Sequence, residues 1–364
     1  MQSIVVGTRG LSTIILLSLA VTGCGVIDAI YKAPDGYAYD EIPVEEQTPI
    51  YSNRFRLDAD QDVVGEIQVV VTKYEDTFVD IARTYGLGYD ELVAANPGVD
   101  PWLPGEGTAV ILPTRFVLPV APRRGIVLNV AAKRLFYFPE PVDGGPAMVE
   151  TYPIGIGRAG WQTPTVDTTV VSKARDPIWF VPQSVRIEHA KAGDPLPKQV
   201  LPGPDNPLGK YVLGLGISGY LIHGTNKPAG VGMRVSHGCI RLFPEDIEHL
   251  YERVDIDSRV RIVNQPTLYG WQDGDLLLEV HAPLDEDSRD WTAGLVARAR
   301  SSLIRYAGES VLLDEERIEV IAENQRGFPI SVFRNGEDME VQVRRARRVK
   351  NIIDFEFVAA SNFE

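Results

Sequence analysis

A histidine and a cysteine lie two positions apart in the run Ser236-His237-Gly238-Cys239. A cysteine attacks a carbonyl carbon as its thiolate, so it needs a lowered pKa or a base nearby. If this run were a strand, His237 and Cys239 would share one face, because strand side chains alternate. Gly238 would leave room for a carbonyl substrate and for backbone N–H groups that stabilise an oxyanion. The spacing therefore predicts a nucleophilic thiol.

The cysteine count limits what else Cys239 could do, because the chain has only one other cysteine, Cys24. Two cysteines cannot make a disulfide framework, and a leftover thiol in an exported protein is a candidate nucleophile. The alternative is a small buried hydrophobe, which is the commoner fate of a free cysteine. The cysteines and histidines lack metal-site spacing, so we expect neither a metal nor a cofactor.

Length and composition describe an ordinary globular protein. The 364 residues predict two or three domains, and 44% hydrophobic with 24% charged residues is a typical balance. The formal net charge of −14 disfavours nucleic acid as a partner.

Residues 1–23 have the features of a signal peptide, with an apolar run over residues 11–21 that is too short to span a bilayer. The run ends in Val21-Thr22-Gly23-Cys24, which resembles the bacterial lipobox. The resemblance implies that Cys24 receives lipid, and Gly25 after it implies transfer to the outer membrane. The alternative is a plain signal peptide cleaved near Gly23. We interpret residues 24–65, which are rich in proline and acidic residues, as an extended tether.

Residues 66–114 have the pattern of a small α+β module. A β-rich run at residues 67–71 is followed by two short helical patterns and by a second strand at residues 108–113. Asn96-Pro97 and Leu103-Pro104-Gly105, with this order of elements, resemble a LysM module. The resemblance implies binding to the N-acetylglucosamine-containing glycan of peptidoglycan. The alternative is a structural domain that only spaces the enzyme.

Residues 122–266 are expected to form a mostly β catalytic domain, because short β-rich runs alternate with glycines and prolines and few helical patterns occur. His223-Gly224-Thr225, followed by residues 236–241 with the sequence SHGCIR, resembles the signature of the YkuD-type L,D-transpeptidases, in their ErfK/YbiS branch. The resemblance implies a YkuD-like β-sandwich. With the module and the C-terminal extension, the predicted fold class is a mostly β catalytic domain with two α+β additions.

The same resemblance assigns catalytic roles. Cys239 would be the nucleophile, and His237 would be the general base and then the acid that protonates the leaving amine. The carbonyl of Gly224 would orient the His237 ring. Backbone N–H groups of Gly238 and Cys239 would form the oxyanion hole.

Four residues are expected to bind substrate by the same resemblance: His223, Gly224, Ser236 and Arg241. His223 would line the site, and the guanidinium of Arg241 would bind a substrate carboxylate. The alternative for Ser236 is a structural hydroxyl that bonds its own loop.

The family resemblance implies a function in the cell envelope. Such an enzyme cuts a peptidoglycan tetrapeptide stem after its third residue, forms a thioester on the cysteine and releases D-alanine. An amine of another stem, or the lysine of an outer-membrane lipoprotein, then takes the acyl group. Two alternatives stay open: a thiol hydrolase that passes the acyl group to water, and a non-enzymatic lipoprotein that anchors the wall. The expected location is the periplasm, with a lipid anchor in the outer membrane.

The resemblance fades in residues 267–364. Strands are predicted near residues 271–281, 329–333 and 339–343, and helices at residues 290–306 and 314–325. We expect a packing subdomain, because exposed layers need covering. The alternative is an appendage that binds a partner or the wall.

Overall fold

The structure is a computed structural model and describes residues 53–289, 297, 300, 301 and 313–354. The predicted signal peptide, the lipidation of Cys24, the tether up to residue 52 and nearly all of the predicted helix at residues 290–306 lie outside the described residues. None of the described helices is both long and apolar enough to cross a bilayer.

Strands dominate the described residues. In chain order they are β1 (Arg54–Leu57), β2 (Val63–Gly65), β3 (Gln68–Val71), β4 (Ala109–Leu112), β5 (Arg115–Val117), β6 (Gly125–Asn129), β7 (Arg134–Phe138), β8 (Ala147–Pro153), β9 (Ile156–Gly157), β10 (Val166–Arg175), β11 (Trp179–Phe180), β12 (Gln199–Val200), β13 (Tyr211–Leu215), β14 (Leu221–His223), β15 (Arg234–Ser236), β16 (Ile240–Arg241), β17 (Arg259–Val263), β18 (Thr267–Gln272), β19 (Asp275–Val280), β20 (Ile330–Ser331) and β21 (Arg347–Val349). The helices are α1 (Phe78–Thr84), α2 (Tyr89–Ala95), α3 (Gln183–Lys191), α4 (Pro244–Arg253), α5 (Glu315–Asn324) and α6 (Met339–Arg345).

The catalytic domain is built on one nine-stranded sheet, in the order β1-β8-β7-β6-β17-β10-β13-β14-β16. Strand β10 joins its two halves, since its first residues pair with β17 and its last with β13, and the register shifts between Val170 and Ser172. A bulge of this kind bends a strand, which lets one sheet cover two sides of a core. The prediction of a mostly β catalytic domain is confirmed.

The module over residues 66–114 has the predicted order of strand, two helices and strand. Thr77 caps α1 in a reciprocal capping box with Asp80, and β3 pairs antiparallel with β4. The module also has a third strand that the sequence did not predict: β21, from the far end of the chain, pairs parallel with β3.

The tether prediction is wrong for part of its range. Strand β1 pairs antiparallel with β8 at the edge of the main sheet, and β2 pairs with β5. The physical reason is apolar burial: Leu57, Val63 and Val64 are buried, and the ring of Phe55 packs edge-on against Phe116. The acidic and proline-rich composition of the preceding residues obscured these two short strands.

The C-terminal extension forms a second small sheet, β18-β19-β20, with α5 packed on β19. The predicted strand at residues 339–343 is wrong, because this stretch is helix α6. Asp338 caps α6 by accepting a hydrogen bond from the Val341 N–H. The side chains of Met339 and Val343, four positions apart and thus on one helix face, pack against the extension's core.

The extension and the module share a hydrophobic core, so the predicted boundary at residue 267 does not separate an independently packed body. Ile67, Ala95 and Ile111 of the module pack in one cluster with Leu276 and Phe328 of the extension. The described residues of the extension therefore pack against the module.

A buried ion pair connects the module to the catalytic domain. Arg134 of β7 and Glu91 of α2 form two hydrogen bonds of 2.7 Å, and their side chains are 1% and 8% exposed. The guanidinium also lies 4.1 Å from the ring centroid of Phe116 and donates to Thr151. Beside it, the backbones of Gly88 and Gly232 touch: a Cβ on Gly232 would lie 2.3 Å from the Gly88 Cα. Since Gly232 lies between His223 and Cys239 in sequence, α2 packs directly on a loop of the predicted site.

We predict that Glu91→Gln destabilises the protein by about 3–5 kcal/mol, because it leaves the Arg134 cation buried without its counter-charge. Urea unfolding measures the change. Glu252→Gln is the matched control, because Glu252 and its partner Arg175 are 60% and 59% exposed; it should change the free energy of unfolding by less than about 0.5 kcal/mol. A Glu91→Gln protein as stable as this control would show that the pair does not hold the module in place.

Candidate active site

Two short parallel strands bring Cys239 and His223 together. In the β14–β16 pairing, Ile222 lies opposite Ile240 and His223 lies opposite Arg241. Continuing the register places Cys239 opposite Leu221. Because side chains alternate, Cys239 and His223 point to the same face, about 4.8 Å apart across the strands and about 6.6 Å along them. The imidazole of His223 and the thiol of Cys239 therefore lie on the same side of the sheet.

The ring of His223 is held in one tautomer. Its Nδ1 lies 2.6 Å from the carbonyl oxygen of Gly224, and a second backbone hydrogen bond involves Leu208. A carbonyl only accepts, so Nδ1 carries the proton and Nε2 has the free lone pair. Burial, and then the charge of Arg241, lower the pKa of His223 to about 3, so the ring is neutral and able to accept a proton.

This geometry corrects one expectation. The carbonyl of Gly224 was expected to orient the ring of His237, but it orients His223 instead. His223 was expected to line the site and bind substrate, yet it has the arrangement of a general base: a ring fixed by a backbone acceptor, on the same face as the predicted nucleophile.

The thiol of Cys239 is half-buried. Burial raises its pKa, while a backbone hydrogen bond from Leu221 and the charge of Arg241 act in the opposite direction. The Sγ lies 3.6 Å from the Gly219 carbonyl oxygen, which accepts from the thiol. The resting site is therefore a neutral thiol beside a neutral imidazole, and attack requires proton transfer to the base.

The run from Ser236 to Cys239 is a turn, so the strand argument for His237 is wrong. Residues 237 and 238 form a bend, and Gly238 has a φ of +104°, a left-handed conformation that favours glycine. The Gly238 N–H donates to Ser236 Oγ at 3.1 Å, so it does not point to an oxyanion as expected. For the N–H of Cys239, the oxyanion role stays a prediction.

Ser236 holds this turn together. Its Oγ donates to the Cys239 carbonyl oxygen at 2.6 Å and accepts from Gly238, and the residue is 2% exposed. The structural alternative thus describes Ser236 better than substrate binding does, because the hydroxyl is engaged within its own loop.

Thr163 and Gly157 contact the turn from a neighbouring segment and hold it in place. Thr163 Oγ1 donates to the Gly238 carbonyl oxygen at 2.9 Å and accepts from the Gly157 N–H at 3.1 Å. A Cβ on Gly157 would lie 1.8 Å from the Trp161 carbonyl oxygen and 3.0 Å from the Gly238 Cα. Only glycine fits at position 157.

His237 lies on the other side of the turn, against helix α3. Its Nε2 is 3.1 Å from Glu188 Oε2 and 3.2 Å from Arg158 Nη2, and Arg158 donates to the second oxygen of Glu188. Its ring packs edge-on against Trp161, at 4.9 Å between centroids, and near His189, at 5.9 Å. Burial and then Arg158 lower the pKa of His237, and Glu188 partly opposes them.

Arg241 lies on the same face as His223 and Cys239. Its backbone N and O both pair with Gly155, at 2.9 and 2.8 Å. The guanidinium is largely buried, its Nε has no hydrogen-bond partner, and burial lowers its pKa. A buried cation without a counter-ion is costly, so this position favours an anionic ligand.

Glu188, Arg158, Trp161 and Thr163 were not predicted as functional residues. Glu188 is 49 positions and Arg158 79 positions from His237 in sequence. No local spacing links residues so far apart, so only the fold brings them together. No group of three His, Cys, Asp or Glu residues that could hold a metal occurs among the described residues.

Comparisons with known proteins point to one family. A family model for the YkuD L,D-transpeptidase catalytic domain matches residues 123–262. The chain is 39% identical to the probable L,D-transpeptidase ErfK/SrfK of Salmonella typhimurium over 254 residues, which are 69% of this chain and 81% of that protein. It is 38% identical to the probable L,D-transpeptidase YcfS of Escherichia coli, covering 75% of this chain and 86% of that protein. Against the probable L,D-transpeptidase YbiS of Escherichia coli it is 36% identical, covering 74% and 88%.

We predict that Gly157→Ala reduces the alkylation rate of Cys239 by at least tenfold, because the new methyl group displaces the turn that carries the thiol. Gly160→Ala is the control: it has a φ of +82° but open space around its Cβ position, so it should cost about 1 kcal/mol of stability and leave the thiol in place. Iodoacetamide labelling, quantified by mass spectrometry of the Cys239 peptide, measures both. Equal rates in the two variants would contradict the packing argument.

We also predict the pH dependence of this alkylation in the wild-type protein. Burial raises the pKa of Cys239, and His223 stays neutral above about pH 3, so no imidazolium stabilises the thiolate. The rate should keep rising with pH and reach its midpoint above the ordinary thiol value of about 8.5. A plateau already reached near neutral pH would instead indicate a thiolate–imidazolium pair.

Proposed function

The chain belongs to the YkuD family of L,D-transpeptidases, which act in peptidoglycan crosslinking, and we propose that it works through a thioester on Cys239 with His223 as the general base. The observation that carries the proposal is the β14–β16 register, which puts thiol and imidazole on one face. The Gly224 carbonyl, which fixes the His223 tautomer, supports it.

In the first half-reaction, His223 Nε2 takes the proton of the thiol and the thiolate attacks the carbonyl carbon of the third stem residue, which is bonded to the nitrogen of D-alanine. The Cys239 N–H stabilises the oxyanion. The imidazolium of His223 then returns the proton to the leaving nitrogen as the C–N bond breaks. D-Alanine leaves as an amine, and the acyl group remains on Sγ.

In the second half-reaction, an amine attacks the thioester and the C–S bond breaks. The acceptor we favour is the side-chain amine of a second stem, which gives a 3→3 crosslink; a lipoprotein lysine is the other amine acceptor. Arg241 binds a carboxylate of the stem, a role that its buried and unpaired Nε supports.

The remaining envelope functions are proposals from sequence resemblance. The chain is a lipoprotein, lipidated at Cys24 and held in the outer membrane facing the periplasm. The module over residues 66–114 binds peptidoglycan glycan, and its packing against residue 232 supports a shared approach path for glycan and stem. A hydrolase that passes the acyl group to water uses the same site and differs only in its acceptor.

We predict that the wild-type protein converts disaccharide-tetrapeptide into crosslinked dimer with release of D-alanine. Cys239→Ala should abolish both products, and His223→Gln should slow D-alanine release by roughly 10²–10⁴-fold, the usual contribution of a general base. Muropeptide separation and mass spectrometry of the intact protein measure product and acyl-enzyme.

Three outcomes would change this assignment. Tripeptide without dimer would favour the hydrolase. Absence of dimer, tripeptide and released D-alanine with the wild-type protein would leave the non-enzymatic anchoring role. Normal D-alanine release by His223→Gln would return the base role to His237.

A further inference from the structure

The two half-reactions of the proposed function differ in the number of protons that they release to water. In the first, the thiol proton passes through His223 to the leaving nitrogen, so no proton enters or leaves the site. In the second, the acceptor is an alkylamine, which is a protonated ammonium near neutral pH. It must lose one proton before it can attack and a second when the amide forms. One of the two returns to the Cys239 thiolate, so one surplus proton must reach water.

His223 is unsuited to export that proton. The residue is 3% exposed, and its pKa of about 3 means that it holds a proton only transiently. Its Nδ1 is occupied by the Gly224 carbonyl. A second proton acceptor that is open to solvent provides that exit.

His237 fits this requirement. It follows Ser236 and lies two residues from the nucleophile, and its side chain is 24% exposed. Glu188 is 3.1 Å from Nε2, and its pKa is lowered, chiefly by its bond to Arg158, so it is an ionised carboxylate that only accepts. Arg158 Nη2 also lies 3.2 Å from Nε2, but it already donates to the other oxygen of Glu188. We therefore assign the proton to Nε2, facing Glu188, and the accepting lone pair to Nδ1.

The charged and titratable groups around His237 are Glu188 and His189 of α3 and Arg158, which follows β9. The Glu188 carboxylate stabilises the imidazolium while it carries a proton, and Arg158 limits that stabilisation so that the proton is released again. The ring is thus set up for proton exchange with water.

We propose that the two histidines divide the reaction: His223 serves the thiol, and His237, positioned by Glu188, deprotonates the acceptor ammonium. The ammonium gives one proton to His237 Nδ1, which passes it to water. The neutral amine attacks the thioester carbon, its second proton goes to His223 Nε2, and from there to Sγ as the C–S bond breaks. The products are a secondary amide, a free thiol and one released proton.

This inference rests on the proposed function, and its test separates the half-reactions. Full-length His237→Gln and Glu188→Gln proteins are acylated with disaccharide-tetrapeptide, and D-alanine release in the first turnover is measured. The acyl-enzyme is then offered two acceptors near pH 7: ethylamine, which is protonated, and hydroxylamine, which is largely neutral. Intact-protein and product mass spectrometry follow the amide, the hydroxamate and the tripeptide.

With ethylamine, His237→Gln should lower aminolysis by roughly 10²-fold and Glu188→Gln by roughly tenfold, within the range of general-base catalysis. Acyl-enzyme should accumulate, and the share of tripeptide should rise. With hydroxylamine, both variants should lie within about threefold of wild type, because that acceptor needs no initial deprotonation. Loss of D-alanine release should be at least tenfold smaller than loss of ethylamine transfer. Glu252→Gln, an exposed glutamate of α4, is the control that should match wild type throughout.

Three outcomes would overturn the inference. Equal losses with both amines would mean that His237 only supports the turn around Cys239, and a parallel fall in D-alanine release would place it in the first half-reaction. Unchanged ethylamine transfer in His237→Gln would exclude it as the proton acceptor. Absence of D-alanine release by the wild-type protein would instead refute the proposed function, and the inference with it.

Discussion

The register of two short parallel strands is the constraint on which the site depends. Ile222 and Ile240 face the core and are fully buried, while His223, Cys239 and Arg241 project to the opposite face. A slip of one residue would exchange the two sets, placing a guanidinium and an imidazole in the core and two isoleucines in the site. Apolar burial therefore fixes the catalytic geometry more firmly than any contact between the catalytic groups themselves.

The sequence alone predicts Cys239 as the nucleophile, from its place after a histidine and a glycine in a pattern that resembles the family's signature. It did not indicate which of the two histidines, His223 or His237, lies on the same face as the thiol. His237 is two positions from Cys239, but the left-handed Gly238 places its ring against Glu188 of α3, and a local φ leaves no periodic signal. His223 becomes a neighbour only through strand pairing, which is a property of the whole sheet. The contact between Glu188 and His237 joins residues 49 positions apart, so the sequence did not indicate it either.

Two secondary-structure predictions were wrong for the same reason, because contacts distant in sequence decided the structure. Strand β1 is four residues long, too short for alternation to stand out beside an acidic and proline-rich stretch. Met339–Arg345 contains alternating valines that favour a strand on pattern alone, yet the cap at Asp338 and the packing of one helix face decide for helix. In both cases tertiary burial overrode a weak local preference.

The pairing of β21 with β3 has a consequence for how the protein acquires its structure. The module's central strand lies early in the chain, and its parallel partner lies 279 positions later, at Arg347 opposite Gln68. Contacts between residues so distant in sequence carry a large loop-closure entropy and slow folding. The apolar faces of Ile67 and Ile111 stay uncovered until the extension has been synthesised and packed. A chain without β21 and the extension exposes these apolar faces, and such exposure favours aggregation and proteolysis of the module.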